Sequence, residues 1–88
     1  MAIFIVAARD ANNLLAQAIT REFPNDHFIF SDRIWFVRGT DTARRITDRL
    51  GIKKDSIVGA FVIAVSPLYY GVANPSLWEW LKTSFEKE

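Results

Sequence analysis

The sequence predicts an α+β fold: a four-stranded antiparallel sheet with two helices on one face, followed by a third helix. Three observations predict it. Four short runs are rich in β-branched and aromatic residues and end in charge, glycine or proline. Three other segments repeat apolar residues at helical spacing. The two kinds of segment alternate as β-α-β-β-α-β-α. The 88 residues leave room for one domain, residues 1–88. Half of them are hydrophobic and 24% are charged, which excludes a disordered chain.

Ala2–Ala8 holds Ile3, Phe4, Ile5 and Val6 and closes on Arg9-Asp10, as a buried strand does. Asp10 and Asn12 are good helix N-cap types. After them Leu15, Ile19 and Phe23 recur at i, i+4 and i+8, with Leu14 and Ala18 beside them, until Pro24-Asn25-Asp26 ends the helix. His27–Ser31 and Ile34–Arg38 are β-type runs separated by Asp32 and Arg33, a predicted hairpin. Gly39 ends the second run. Thr40 or Asp41 then caps a helix with Ala43, Ile46, Thr47 and Leu50 inward, and Gly51 stands where a left-handed C-terminal residue belongs. The polar connector Lys53-Lys54-Asp55-Ser56 leads to a strand from Val58 to Ser66. Pro67 and Gly71 frame a loop with Tyr69 and Tyr70. Asn74 or Ser76 caps the last helix, whose stripe is Leu77, Trp78, Leu81 and Phe85, with Trp80 widening one edge. The first six elements follow the ferredoxin-like βαββαβ order of an α/β sandwich. The echo of Ile3-Phe4-Ile5-Val6 in Ile34-Trp35-Phe36-Val37 fits two related halves.

The strands predict an unusual sheet. A half-exposed strand alternates apolar with polar residues. Here Ile3, Ile5 and Ala7 oppose Phe4, Val6 and Ala8, and Phe61, Ile63 and Val65 oppose Ala60, Val62 and Ala64. Both faces are therefore apolar, and the one without the first two helices needs a cover. The third helix supplies it by folding back, or a second chain supplies it in a homodimer; the homodimer is the expectation.

Composition narrows the chemistry. With no cysteine, disulfides, thiol catalysis and Cys-based zinc sites are excluded, and a single histidine, His27, makes no His cluster. The N-terminal run lacks the basic start and cleavage site of a signal peptide, and no stretch is long enough to span a bilayer. A cytoplasmic protein without membrane partners is expected. No Gly-rich phosphate loop or nucleophile elbow occurs. Between Asp32 and Asp55, seven basic residues and four acidic ones leave +3 in a chain of net +1. Arg44, Arg45, Arg49, Lys53 and Lys54 are the candidates there for tracking the phosphates of RNA or DNA. The same pattern describes a solvated helix face with Asp41–Arg45 and Arg44–Asp48 pairs. Asp10 is either a helix cap or a carboxylate that a two-fold axis doubles into a metal site. His27 reads as a turn-edge residue rather than a general base. Tyr69, Tyr70, Trp78 and Trp80 are candidates for a partner interface.

The Ile3–Ala7 strand ending in Arg9-Asp10, the βαββαβ order, and Tyr69-Tyr70-Gly71 followed by Leu77-Trp78-Glu79-Trp80-Leu81 resemble the small ferredoxin-like proteins related to the CRISPR-adaptation endoribonuclease subunit. That group includes stand-alone proteins and an endoribonuclease antitoxin. The resemblance implies a homodimer and contact with nucleic acid. In its nuclease members an aspartate ends the first strand and binds metal across the dimer. Here the aligned position is Arg9, with Asp10 one residue later, and a one-residue slip turns a strand side chain to the other face. The expectation is a homodimeric binding protein of RNA or DNA, without a cofactor and without chemistry of its own. A metal-dependent endoribonuclease using Asp10 with Mg²⁺ or Mn²⁺, and a protein-interaction module such as an antitoxin or complex subunit, are the alternatives.

Overall fold

The apolar runs pair into a single antiparallel sheet. The computed structural model describes residues 2–53, 56–66, 71 and 75–86. Strands β1 (Ala2–Ala8), β2 (His27–Ile29), β3 (Ile34–Gly39) and β4 (Ala60–Val65) lie in the order β2-β3-β1-β4. Helices α1 (Asn13–Glu22), α2 (Ala43–Arg49) and α3 (Pro75–Glu86) complete the order βαββαβα, consistent with the ferredoxin-like pattern. None of the described helices is long and apolar enough to cross a membrane.

The alternation within each strand sorts its side chains between two cores. Phe4, Val6, Trp35 and Val37 are buried against Leu15, Ala18, Ile19 and Phe23 from α1 and Ile46 and Leu50 around α2. On the opposite face Ile3 and Phe36 are buried against Leu77 and Leu81 of α3, with Phe28, Val65, Trp80 and Phe85 packed around them. The third helix thus covers part of the second apolar face. Leu14, expected beside the α1 stripe, is largely exposed, because it lies about 100° around the helix from Leu15, off the face that Leu15, Ala18 and Ile19 bury.

The helix ends follow expectation except at the start of α2. Asn12 caps α1, its Oδ1 accepting from the Leu15 N–H at 3.0 Å. Thr42 caps α2 in place of Thr40 or Asp41, its Oγ1 accepting from the Arg45 N–H at 3.2 Å. Asp41 is instead directed at arginines, 3.1 Å from Arg49 and 3.9 Å from Arg45. Gly51, with φ of 77°, does end α2 as predicted. Its N–H donates to the Asp48 carbonyl and the Ile52 N–H to the Thr47 carbonyl, each at 3.2 Å, the paired bonds of a Schellman motif. Pro75 opens α3, where its missing N–H costs nothing, and Ser76 lies inside the helix; Asn74 lies outside the described residues.

Two strand ends also move. β2 stops at Ile29, so the hairpin loop is longer than Asp32-Arg33. Ser31 organises it: its Oγ accepts from the Arg33 N–H at 3.2 Å and the Ile34 N–H at 3.1 Å. β4 begins at Ala60, two residues after Val58, because Gly59 takes φ of 71° and Ile57 is held in an isolated bridge to Ile52. That bridge buries Ile57 in the helix-side core, a role hidden by its polar neighbours in sequence.

Candidate binding surfaces

The basic stretch divides once it is folded. Arg49, at the end of α2, is consumed by structure. Its Nε donates to Glu22 Oε1 at 3.3 Å, Nη1 to Asp41 Oδ2 at 3.1 Å and Nη2 to the Glu22 carbonyl at 3.1 Å. The guanidinium also lies 4.5 Å over the Phe23 ring. It clamps α2 to the end of α1. The Arg45 side chain is 77% exposed and, among the described residues, pairs with Asp41 at the long distance of 3.9 Å. Arg44 and Lys53 are exposed. Of the expected pairs, Asp41–Arg45 forms and Arg44–Asp48 does not appear among the described ion pairs. Lys54 lies outside the described residues.

Glu22 carries the electrostatic signature of that clamp. Hydrogen bonds from Arg21 and Arg49, supported by their positive charges, hold its carboxyl below the usual carboxylate range. A carboxyl that is a weaker acceptor of protons when folded stabilises the fold above its unfolded value. That contribution disappears as pH falls through the depressed folded value. Thermal unfolding followed from neutral pH to about pH 3 should therefore show a smaller acid loss for Glu22→Gln than for the unsubstituted protein. Superimposable curves would show that Glu22 adds nothing.

Asp10 follows β1 in an exposed bend, and Asn12 takes the cap position that Asp10 was a candidate for. Among the described residues no three His, Asp or Glu side chains converge as a metal would require. His27 Nδ1 donates to the Phe23 carbonyl at 2.5 Å, tying the start of β2 to the end of α1. It is a turn-edge clasp.

Trp80 joins an aromatic row beneath α3. Its ring centroid lies 6.0 Å from Phe28 and 6.3 Å from Phe36, and Phe30 meets Phe36 edge-on at 6.4 Å. Trp78 is half-buried against the same core, and Tyr69 and Tyr70 lie outside the described residues. A polar knot missed by sequence reasoning sits beside Trp80. Arg38, with a side chain 12% exposed, donates to Asp26 Oδ1 at 2.8 Å, to Ser84 Oγ at 2.8 Å and to the Asn25 carbonyl at 3.1 Å. Its guanidinium also stacks 5.3 Å over Trp80. Arg38, Trp80 and Phe28, with Ser76, Glu79 and Thr83, line an open groove of about 340 Å³. The Arg38 guanidinium is already bonded to Asp26, Ser84 and the Asn25 carbonyl, and Glu79 adds a carboxylate, so the described lining does not favour an anionic ligand.

The uncovered part of the α3 side is the other candidate surface. Strand register lines up Phe61 with Ala7 and Ile34, and Ile63 with Ile5 and Phe36. α3 protects the Ile3 and Phe36 end of these rows. At the β4 end Phe61 is 52% and Ile63 54% exposed, and across the sheet Phe30 is 47% exposed. No family model, curated protein or solved structure matches the chain.

Proposed function

We propose that this protein is a small homodimeric ferredoxin-like binding protein that holds RNA or DNA without chemistry of its own. The observation that carries the reading is the apolar strip that Phe61 and Ile63 leave open on the α3 side of the sheet. Half-exposed side chains of this size leave about 100 Å² of apolar surface each. Two copies covering both pairs would remove roughly 400 Å² from water, worth on the order of 10 kcal/mol. Association itself costs about 4–15 kcal/mol, so the strip favours self-association but needs further bonds to secure it.

Arg44, Arg45 and Lys53 are the phosphate contacts in this reading, because Arg49 is committed to Glu22, Asp41 and Phe23. A dimer doubles that set. Sedimentation should give a dimer at high micromolar concentration. Filter binding should retain oligonucleotides at low salt, with affinity falling as salt rises, and Arg44→Ala/Arg45→Ala should flatten that dependence by roughly one log unit per lost contact. A monomer at that concentration removes the homodimer, and absence of retention at low salt removes nucleic acid as the partner.

A further inference from the structure

We infer that the second copy docks on the free edge of β4, strand against strand about a two-fold axis at Val62, so that two four-stranded sheets become one of eight. The inference rests on the homodimer reading and specifies its geometry.

The edge is open. β4 pairs with β1 alone, and among the described residues no strand lies on its outer side. The Arg9 N–H donates to the Gly59 carbonyl at 2.8 Å. In antiparallel pairing bonded residues recur every second position, so Phe61, Ile63 and Val65 bond inward to β1. Ala60, Val62 and Ala64 turn their N–H and C=O groups outward. Protected edges carry a charge, a proline or a bulge. The run Ala60–Val65 has none of these, so nothing repels a like strand across the axis.

The register follows from parity and side chains. Only residues with outward groups can bond across a two-fold pair. An axis at Val62 sets Val62 against Val62 and Ala60 against Ala64 of the second copy, giving six backbone hydrogen bonds. The same register places each exposed Phe61 beside the other copy's exposed Ile63, an aromatic–β-branched pair of the kind that stabilises sheets. On the helix side, alanines at positions 60 and 64 leave room for the incoming strand. In this register Phe61 and Ile63 bury their facing flanks only, so the six backbone bonds carry most of the contact and the interface lies at the small end of specific ones.

The chain has no native cysteine, so introduced thiols report the geometry. Paired residues of this type have Cα atoms about 4.5 Å apart, within disulfide reach. Phe61→Cys and Ile63→Cys proteins, mixed and mildly oxidised, should cross-link in the mixture and much less when each is alone. Ala64→Pro removes an N–H unused in the monomer, which an edge strand tolerates. It should keep the circular dichroism of the parent and weaken the dimer roughly 30-fold or more. A parent dimer whose cysteine mixture stays uncross-linked, or in which Ile63→Cys links to itself equally well alone, overturns the β4 edge while leaving the homodimer in place. A parent that sediments as a monomer overturns both.

Discussion

Replacing Arg38 by methionine is expected to lower the unfolding midpoint by roughly 10–20 °C and to loosen α3 before the rest of the molecule. Methionine keeps the apolar stem that packs on Trp80 but removes the fork that donates to Asp26, Ser84 and the Asn25 carbonyl. The three bonds do not weigh equally. Asp26 is 45% exposed, so its carboxylate rehydrates at little cost. Ser84 is 1% exposed, and its hydroxyl loses a charged donor in a site that water does not reach. Leaving such a group unmet costs about 1–3 kcal/mol, and the lost stacking adds up to about 1 kcal/mol. The sum is roughly 1–4 kcal/mol, with a central value of about 2.5, a large part of the ~4–13 kcal/mol expected for a chain of this length. Thermal unfolding measures the total. The double variant Arg38→Met/Ser84→Ala identifies its origin, because removing the hydroxyl should restore part of the loss. An unchanged midpoint for Arg38→Met would show that α3 is held by its apolar stripe alone.

That knot marks where the sequence stops being legible. The strands and helices could be read because each follows one period: β1 closes on the charge of Arg9-Asp10, and Leu15, Ile19 and Phe23 step along one face of α1. Arg38 and Ser84 also obey their periods. Arg38 follows Ile34 and Phe36 on the α3 side, and Ser84 sits three residues after Leu81 on the α3 stripe. Polarity alone places such residues in solvent, and only the approach of two segments 46 positions apart turns them inward. Arg49 fails for the same reason in reverse. Its spacing from Arg45 suggested a phosphate-tracking stripe, whereas Glu22, from another helix, claims it. The apolar second face was legible from alternation alone. How far α3 would cover it was not, because that depends on where a twelve-residue helix crosses a four-stranded sheet.

Truncating one leucine on each side of the sheet is expected to separate the two cores. Leu15 is fully buried, and Leu15→Ala should cost about 3–4 kcal/mol, since Ala18, Ile19 and Phe23 hold the helix against the sheet and limit its collapse into the gap. Leu81 is equally inaccessible, at 2% exposure, but among the described residues it belongs to a core with four buried hydrophobic residues, against eleven on the helix side. Leu81→Ala should cost nearer 2 kcal/mol, because α3 can tilt or lift where α1 cannot. Hydrogen exchange distinguishes the two modes. Leu15→Ala removes stability that all slowly exchanging amides share, so protection in β1, β3 and α1 should fall together. Leu81→Ala should speed exchange in α3 while β1 and β3 keep most of their protection, the behaviour of a separately opening unit. Equal losses across α3 and the central strands would instead make the sheet and all three helices one cooperative body. In that case the open strip beside Ile63 would be as rigid as the core, a preformed docking surface that α3 could not move to cover.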